Sequence, residues 1–260
     1  LSAASAELRD LDHLVQQAQA GEQVEIHNAT EDRGVIVLAG PKARDVLSGL
    51  TDASLENADF PWRTAQQIEI AGIATLALRI NYVGELGWEL HPAMSDLPAL
   101  YAAVWAAGEA HGIADFGLYA MNSLRIEKGY RGWGTELTNE VTMLEADMAR
   151  FYASAKGDFV GKAATETNAA GPLRLVYFEV EAQDADVRGG EPIFLGDTCV
   201  GVTTSGGYGY AVEKSLGFGY VPPEQAEPGS VIDIGLLDVR CRAKVLAEPI
   251  YDPANERLAS

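Results

Sequence analysis

The sequence is poor in the residue types on which many redox and metal-dependent enzymes rely. Its 260 residues include only two cysteines, Cys199 and Cys241, and four histidines. The cysteines are too few and too far apart for a disulfide framework or a paired-cysteine metal site. The histidines are scattered without ligand spacing. We therefore expect no metal centre and a reducing compartment, the cytoplasm.

Positive charge and long apolar runs are also scarce. The chain carries 38 acidic and 19 basic side chains, a formal net charge of -19, which repels phosphate backbones and anionic lipid surfaces. No apolar run approaches the roughly 20 residues that cross a bilayer, and the first residues lack the basic and apolar regions of a secretory signal. We expect a soluble protein with neither nucleic acid nor a membrane as a partner.

The familiar sequence signatures of catalysis are missing too. The chain contains no GxSxG, no P-loop, no HExxH, and no GxGxxG between a strand and a helix. The glycine-rich stretch GGYGY, residues 206–210, lies between predicted strands, and we expect it to form turns and a bulge.

What the chain does have is a large apolar fraction, 47% of its residues, arranged in two different ways. In the first part, helical and strand periodicities alternate, which predicts an α+β domain over residues 1–170. Short strands separated by glycine, proline and aspartate then predict a small β-barrel or sandwich over residues 171–260.

Several segments of the first part have a clear period. The predicted elements are a helix that carries Leu8, Leu11, Leu14 and Val15 and ends near Gly21, strands over residues 24–29, 34–40, 66–72 and 73–84, and helices over residues 95–112 and 118–128.

The stretch INYVGELGWELH, residues 80–91, places two carboxylates in a segment that otherwise predicts a strand. Side chains alternate along a strand, so if Trp88 and Leu90 face the core, Glu89 faces the opposite way. An ionised carboxylate only accepts hydrogen bonds, which suits a flat group with two adjacent N–H donors, such as a guanidine or an aminopyrimidinone. Tyr82 could lie against such a ring. The alternative is a hairpin with Glu85 in its turn and Glu89 in water.

A second stretch, residues 119–151, groups planar side chains beside glycines. Arg125 lies in the predicted helix, and Tyr130, Arg131 and Trp133 follow within the next turn and loop. Planar cations and rings in such a group suit a flat ligand with an anionic tail. The alternative is a surface loop held by ordinary ion pairs.

Together these stretches resemble the aminomethyltransferase family, which includes the T-protein of the glycine cleavage system. The family pattern is Tyr-x-Gly-Glu-x-Gly-x-Glu, then Leu-Arg-x-Glu-x-Gly, a Gly-x-Glu-Leu-Thr loop, a Leu-Glu-Ala segment and Lys-x-Asp-Phe-x-Gly. The corresponding residues here, in the same order, are 82–89, 124–129, 134–138, 144–146 and 156–161. The long loop from Tyr130 to Phe151 is most similar to the C-terminal tetrahydrofolate-binding region of dimethylglycine and sarcosine dehydrogenases.

The resemblance implies a folate-binding fold with a ferredoxin-like α+β part, followed by a small C-terminal β-barrel. It implies transfer of a one-carbon unit from a methylated amine or iminium donor to tetrahydrofolate, giving 5,10-methylene-tetrahydrofolate. It also implies FAD on a preceding domain or on a flavoprotein partner. The residues that the resemblance places at the folate are Tyr82, Glu85, Glu89, Arg125, Tyr130 and Trp133, with Glu85 shaping the turn. The choice of Glu89 over Glu85 as the acceptor for the pterin rests on strand alternation.

One family feature has no counterpart in the sequence. In the family, an aspartate near the reacting folate nitrogen lies on a loop of the form Asn-x-x-Gly-Gly-x-x-Asp-Asp, which this chain lacks. The catalytic residue therefore remains unassigned. We expect the chain to be a fragment that lacks the first part of its folate domain and turns over little by itself.

Three alternatives stay open within the same superfamily. The first is a stand-alone T-protein, which would need a lipoyl-carrier partner. The second is a non-enzymatic folate-binding protein of iron–sulfur maintenance, but that branch has a cysteine after a Lys-Gly pair, where this chain has Tyr130. The third is a folate-dependent demethylase for another methylated amine, sulfur compound or aromatic ether.

Overall fold

The computed structural model of the protein describes residues 7–18, 22–167, 169 and 171–260. Within these ranges the chain forms two compact units. Unit 1 contains the described residues of 1–81, 85–115 and 256–260, and unit 2 contains those of 82–84 and 116–255. The predicted division into residues 1–170 and 171–260 stays a prediction.

Unit 1 combines short helices with one antiparallel sheet. Its elements are α1 (Glu7–Gln17), β1 (Ile36–Ala39), α2 (Ala43–Ser48), β2 (Ala65–Ile70), β3 (Ile73–Leu78), β4 (Gly87–His91), α3 (Leu97–Gly108) and α6 (Glu256–Ala259). The four strands pair antiparallel in the order β1-β4-β3-β2. The first predicted helix is thus confirmed as α1, while its predicted end near Gly21 lies outside the described residues.

Strand alternation determines the core of unit 1. Trp88 and Leu90 of β4 are fully buried, and they belong to one apolar cluster with Leu47 of α2 and Leu100 of α3. The two helices therefore supply side chains to one face of the sheet. The intervening residue of β4, Glu89, lies on the other face.

Two strand predictions in this unit differ from the structure. Residues 24–29 form no strand, because no described strand pairs with this segment, and Val24 is exposed. The strand predicted over residues 73–84 ends at Leu78, and regular pairing resumes only at Gly87. Between β2 and β3, Ala71 and Gly72 both have positive φ, which makes a tight hairpin turn.

Unit 2 contains a closed barrel with flanking helices. Its elements are α4 (Leu118–Glu127), α5 (Lys162–Thr167), β5 (Arg174–Val180), β6 (Pro192–Leu195), β7 (Thr198–Gly209), β8 (Lys214–Val221), β9 (Val231–Leu236) and β10 (Val239–Val245). The strands pair antiparallel and close in the order β10-β5-β8-β7-β6-β9. The predicted class, an α+β part followed by a small β-barrel, is confirmed.

Both sides of the barrel wall are buried along β5. Val176 and Phe178 belong to the apolar cluster that fills the barrel, together with residues of β9. Leu175 and Tyr177, which alternate with them, pack instead with Ile126 of α4. Helix α4 therefore covers the outside of the wall.

The GGYGY stretch differs from its prediction. Gly206, Gly207 and Gly209 lie inside β7, not in a turn, and the register shift in this strand falls just before them. A Cβ atom on Gly209 would lie 2.7 Å from Cγ of Glu127, and one on Gly207 would lie 3.4 Å from the Asn122 amide nitrogen. The glycines thus let α4 approach the strand closely.

None of the helices in the described ranges is long and apolar enough to cross a membrane.

Candidate functional site

Glu89 lies in the middle of the unit 1 sheet, on the face opposite the core. Its strand neighbours are Val37 of β1 and Leu78 of β3. Its side chain is 24% exposed, and its Oε2 lies 3.2 Å from Nε2 of His91, two residues along the same face. A carboxylate has about four acceptor positions, so this contact leaves acceptor capacity for a ligand. The predicted orientation of Glu89 is confirmed, while its role stays a prediction.

Glu85 precedes β4 in the same unit. Its main-chain oxygen accepts a hydrogen bond from the side-chain amide of Asn81, which spans the bend between the two residues. Its carboxylate is half-buried. This geometry agrees with the prediction that Glu85 shapes the turn, and its predicted place at the folate stays a prediction.

Tyr82 belongs to unit 2, where it stacks on Tyr130. The two ring centroids are 6.0 Å apart and the planes are inclined by 16°. The Tyr82 hydroxyl donates a 2.7 Å hydrogen bond to the main-chain oxygen of Arg131. Burial raises the pKa of both phenols, so the pair presents neutral, half-buried rings at physiological pH.

The backbone after Tyr82 lies against the end of α4. Gly84 has a φ of +80°, and a Cβ atom there would lie 2.8 Å from Cγ of Lys128. Lys128 is itself buried and donates a 3.0 Å hydrogen bond to the Asp252 carboxylate. The absence of a side chain at Gly84 thus lets the backbone two residues after Tyr82 approach Lys128 closely.

Arg125, on the buried side of α4, is largely engaged by the protein. Its side chain is 4% exposed. It donates two hydrogen bonds to the Asn122 side-chain oxygen, one to the main-chain oxygen of Tyr130 and one to the Glu136 carboxylate. These contacts assign Arg125 a local structural role, and its predicted contact with a ligand stays a prediction.

Glu136 is the site residue that sequence reasoning missed. Its carboxylate is fully buried and accepts hydrogen bonds from Arg125, the Gly132 amide and the hydroxyls of Thr204 and Ser205. Burial alone would raise the pKa of Glu136, but these hydrogen bonds and the Arg125 charge together hold it below its ordinary value. The Gly-x-Glu-Leu-Thr pattern already contained this residue and was the available signal.

Trp133 and Arg131 complete the loop after α4. Trp133 is 59% exposed and forms an isolated parallel bridge with Leu137. Arg131 pairs with Asp147, and burial lowers the pKa of its guanidinium. Residues 129–142 form no helix or strand. Trp133 is thus more exposed than Tyr130, the other aromatic side chain of this loop.

The structure brings four of the six predicted residues together in unit 2. Tyr82, Arg125 and Tyr130 share direct contacts or a common partner, and Trp133 lies on the same loop. Glu85 and Glu89 lie in unit 1. Across the described ranges, no group of three or more His, Cys, Asp or Glu side chains is arranged to hold a metal ion.

Comparison with known proteins decides the family. The model named "GCVT N-terminal domain" matches residues 1–156, and the model named "Glycine cleavage T-protein C-terminal barrel domain" matches residues 174–252. The chain belongs to the glycine cleavage T-protein family of aminomethyltransferases. The family predicted from the sequence is thereby confirmed.

The relatives of this T-protein family member include dehydrogenases and aminomethyltransferases. The chain is 39% identical to human "Dimethylglycine dehydrogenase, mitochondrial" over 99% of its own length and 30% of the relative. It is 32% identical to an "Aminomethyltransferase" of Corynebacterium aurimucosum over 89% of its length and 64% of the relative. The chain therefore spans about a third of the dehydrogenase and under two thirds of the transferase.

A solved structure shares the fold. The glycine cleavage system aminomethyltransferase T from Bartonella henselae matches with a TM-score of 0.82 over 96% of this chain and 67% of that chain, at 24% identity. At this identity the likeness establishes the fold alone.

Proposed function

We propose that the chain is the folate domain of a demethylase related to dimethylglycine and sarcosine dehydrogenases. It would pass a one-carbon unit from a methylated amine or iminium donor to tetrahydrofolate, giving 5,10-methylene-tetrahydrofolate. The observation that carries this proposal is the 39% identity with human dimethylglycine dehydrogenase along 99% of the chain. The identity with an aminomethyltransferase is lower, at 32%, which makes a stand-alone T-protein the second candidate.

The residues present fit the chemistry of a reduced folate. The pterin part of folate offers adjacent N–H donors on a flat ring, and Glu89 provides an acceptor-only carboxylate on an open face of its sheet. Tyr82, Tyr130 and Trp133 provide aromatic surfaces that suit a flat ring. Within unit 1, Glu89 would hold the pterin through its carboxylate.

Bound tetrahydrofolate supplies the nucleophilic nitrogens that accept the one-carbon unit. The side chains of this chain contribute by holding the ligand and excluding water, so the rate gain is one of proximity. At neutral pH the Tyr82 and Tyr130 phenols are protonated, because burial raises the pKa of each. They therefore act as neutral surfaces and not as bases.

The iron–sulfur maintenance alternative has less support. Its cysteine would stand after Lys128 and Gly129, where this chain has Tyr130, and that ring is stacked on Tyr82.

FAD, a flavoprotein domain or partner, and a cytoplasmic location remain part of the proposal. The dehydrogenase relative is named as mitochondrial.

Titration calorimetry with tetrahydrofolate under anaerobic conditions tests the proposal. We expect the 260-residue chain to bind and the Glu89→Gln variant to bind ten- to a hundredfold more weakly, because a hydrogen bond to a charged group contributes about 1.5–3 kcal/mol. Glu69→Gln is the matched control, because Glu69 is an exposed carboxylate on the edge strand β2 of the same sheet. Equal affinities for all three proteins would remove Glu89 from the pterin role, and no binding by the unaltered chain would contradict the proposed function.

A further inference from the structure

The loop after α4, residues 129–138, which we call the aromatic loop, is attached to the buried carboxylate of Glu136. The loop has no helix or strand of its own, yet it carries Tyr130 and Trp133. Within the loop, Oε2 of Glu136 accepts hydrogen bonds from the Gly132 amide at 2.6 Å and from the Thr135 hydroxyl at 2.9 Å. The loop has no regular strand pairing, and two of its residues instead donate hydrogen bonds to the Glu136 carboxylate.

The same carboxylate joins the loop to helix and barrel. Oε2 also accepts a 3.0 Å hydrogen bond from Arg125 of α4. The other oxygen, Oε1, accepts hydrogen bonds from Thr204 at 2.5 Å and from Ser205 at 2.6 Å, both on β7. One oxygen therefore faces the loop and α4, and the other faces the barrel wall.

An irregularity in β7 makes the double contact with Oε1 possible. Thr204 and Ser205 are consecutive, and consecutive side chains of a regular strand point to opposite faces. The pairing of β7 with β8 shifts register between Thr203 and Ser205, and a bulge of this kind redirects a side chain. Both hydroxyls can then reach one carboxylate oxygen.

The main chain of Glu136 adds a third element. The hydroxyl of Tyr220, on β8, donates a 2.8 Å hydrogen bond to the Glu136 main-chain oxygen. Glu136 thus attaches the loop that carries Tyr130 and Trp133 to the barrel strands β7 and β8 as well as to α4.

We propose that Glu136 is a positioning residue through which the C-terminal barrel sets the geometry of the aromatic loop and, with it, the affinity for folate. This inference rests on the proposed function for the identity of the ligand. It assigns the barrel a part in ligand binding that acts through the Thr204 and Ser205 hydroxyls. Glu136 itself is buried and acts through the loop, not on the ligand.

The first measurement needs no ligand. In protein labelled with 5-fluorotryptophan, the fluorine resonance of Trp133, assigned with a Trp133→Phe variant, reports the state of the loop. We expect this resonance to shift in Glu136→Gln and in the double variant Thr204→Val/Ser205→Ala. Glu145→Gln is the matched control, because Glu145 is also buried and capped, by the amide and hydroxyl of Thr142, at a different turn of unit 2. An unchanged resonance in both test variants would overturn the positioning role.

The second measurement is the tetrahydrofolate affinity of the same proteins by calorimetry. We expect at least tenfold weaker binding for Glu136→Gln and for the double variant, and unaltered binding for Glu145→Gln. If the unaltered chain binds and the test variants bind equally well, the inference is wrong while the proposed function stands. If the unaltered chain does not bind, the proposed function fails and the folate role of Glu136 fails with it, while the fluorine resonances still decide whether Glu136 fixes the loop.

Discussion

Replacement of Arg125 by methionine tests the buried ion pair between Arg125 and Glu136 in unit 2. The Arg125 guanidinium is 4% exposed and the Glu136 carboxylate is fully buried. The change deletes four donated hydrogen bonds, to Asn122, Tyr130 and Glu136, while methionine retains much of the aliphatic stem. It leaves a buried negative charge without its cation.

The size of the effect follows from what remains around the carboxylate. Removing one partner of a buried ion pair costs about 3–5 kcal/mol. Glu136 keeps its hydrogen bonds from Gly132, Thr204 and Ser205, so we expect the lower end, about 3 kcal/mol, which is roughly a hundredfold rise in the unfolding constant of unit 2. The double variant Arg125→Met/Glu136→Gln should recover part of this loss, because it removes the unpaired charge.

Native-state hydrogen exchange of peptides from β7 and β8 measures this free energy for unit 2 separately. Lys214→Met is the control, because the ion pair of Lys214 with Glu179 is 45% and 29% exposed and should contribute no more than about 1 kcal/mol. If Arg125→Met destabilises unit 2 no more than the control does, the Arg125–Glu136 ion pair does not make the large contribution to stability that its burial suggests.

Two further predictions concern each unit in turn. Gly87→Ala should destabilise unit 1 by about 1–3 kcal/mol in thermal unfolding, because a Cβ atom at position 87 would lie 2.6 Å from the main-chain oxygen of Leu38. Gly49→Ala is the control and should have little effect, because its Cβ atom would meet no atom closer than 3.8 Å. Equal melting temperatures for the two variants would contradict the close approach of β1 and β4. In unit 2, the pKa values of the Glu136 and Glu145 carboxyls lie below the ordinary value of 4.5, because hydrogen bonds to each outweigh the burial that would raise it. Their contribution to stability is present above that value and is lost as the pH falls through the lower folded-state values. The urea concentration at the midpoint of unit 2 unfolding should therefore fall as the pH is lowered, and it should fall less steeply with pH in Glu145→Gln than in the unaltered chain. An identical pH dependence in the two proteins would contradict this account.

Much of the architecture could be predicted, because it depends on local patterns. The spacing of Leu8, Leu11, Leu14 and Val15 predicted α1. The regular succession of short strands and turn residues predicted a barrel, and the structure closes it with six strands. The orientation of Glu89 followed from alternation beside Trp88 alone.

Other features depend on contacts between residues distant in sequence. The strand predicted over residues 24–29 has suitable residue types but no pairing partner among the described strands, and strand propensity without a partner is a weak signal. The glycines of residues 206–210 allow α4 to pack closely on β7, although α4 lies some 80 residues earlier in the chain; Asn122 of α4 and Gly206 of β7, which share a hydrogen bond, are 84 residues apart.

The sequence by itself determined the family pattern, the two kinds of architecture and the face on which Glu89 lies, because each of these follows from residue type and short-range period. Only the tertiary structure decided the roles of Arg125 and Glu136. The partners of Glu136 lie 11 residues away on α4 and 68 and 69 residues away on β7. A buried carboxylate is stable only where such donors converge, and no local pattern determines where distant strands bring them together.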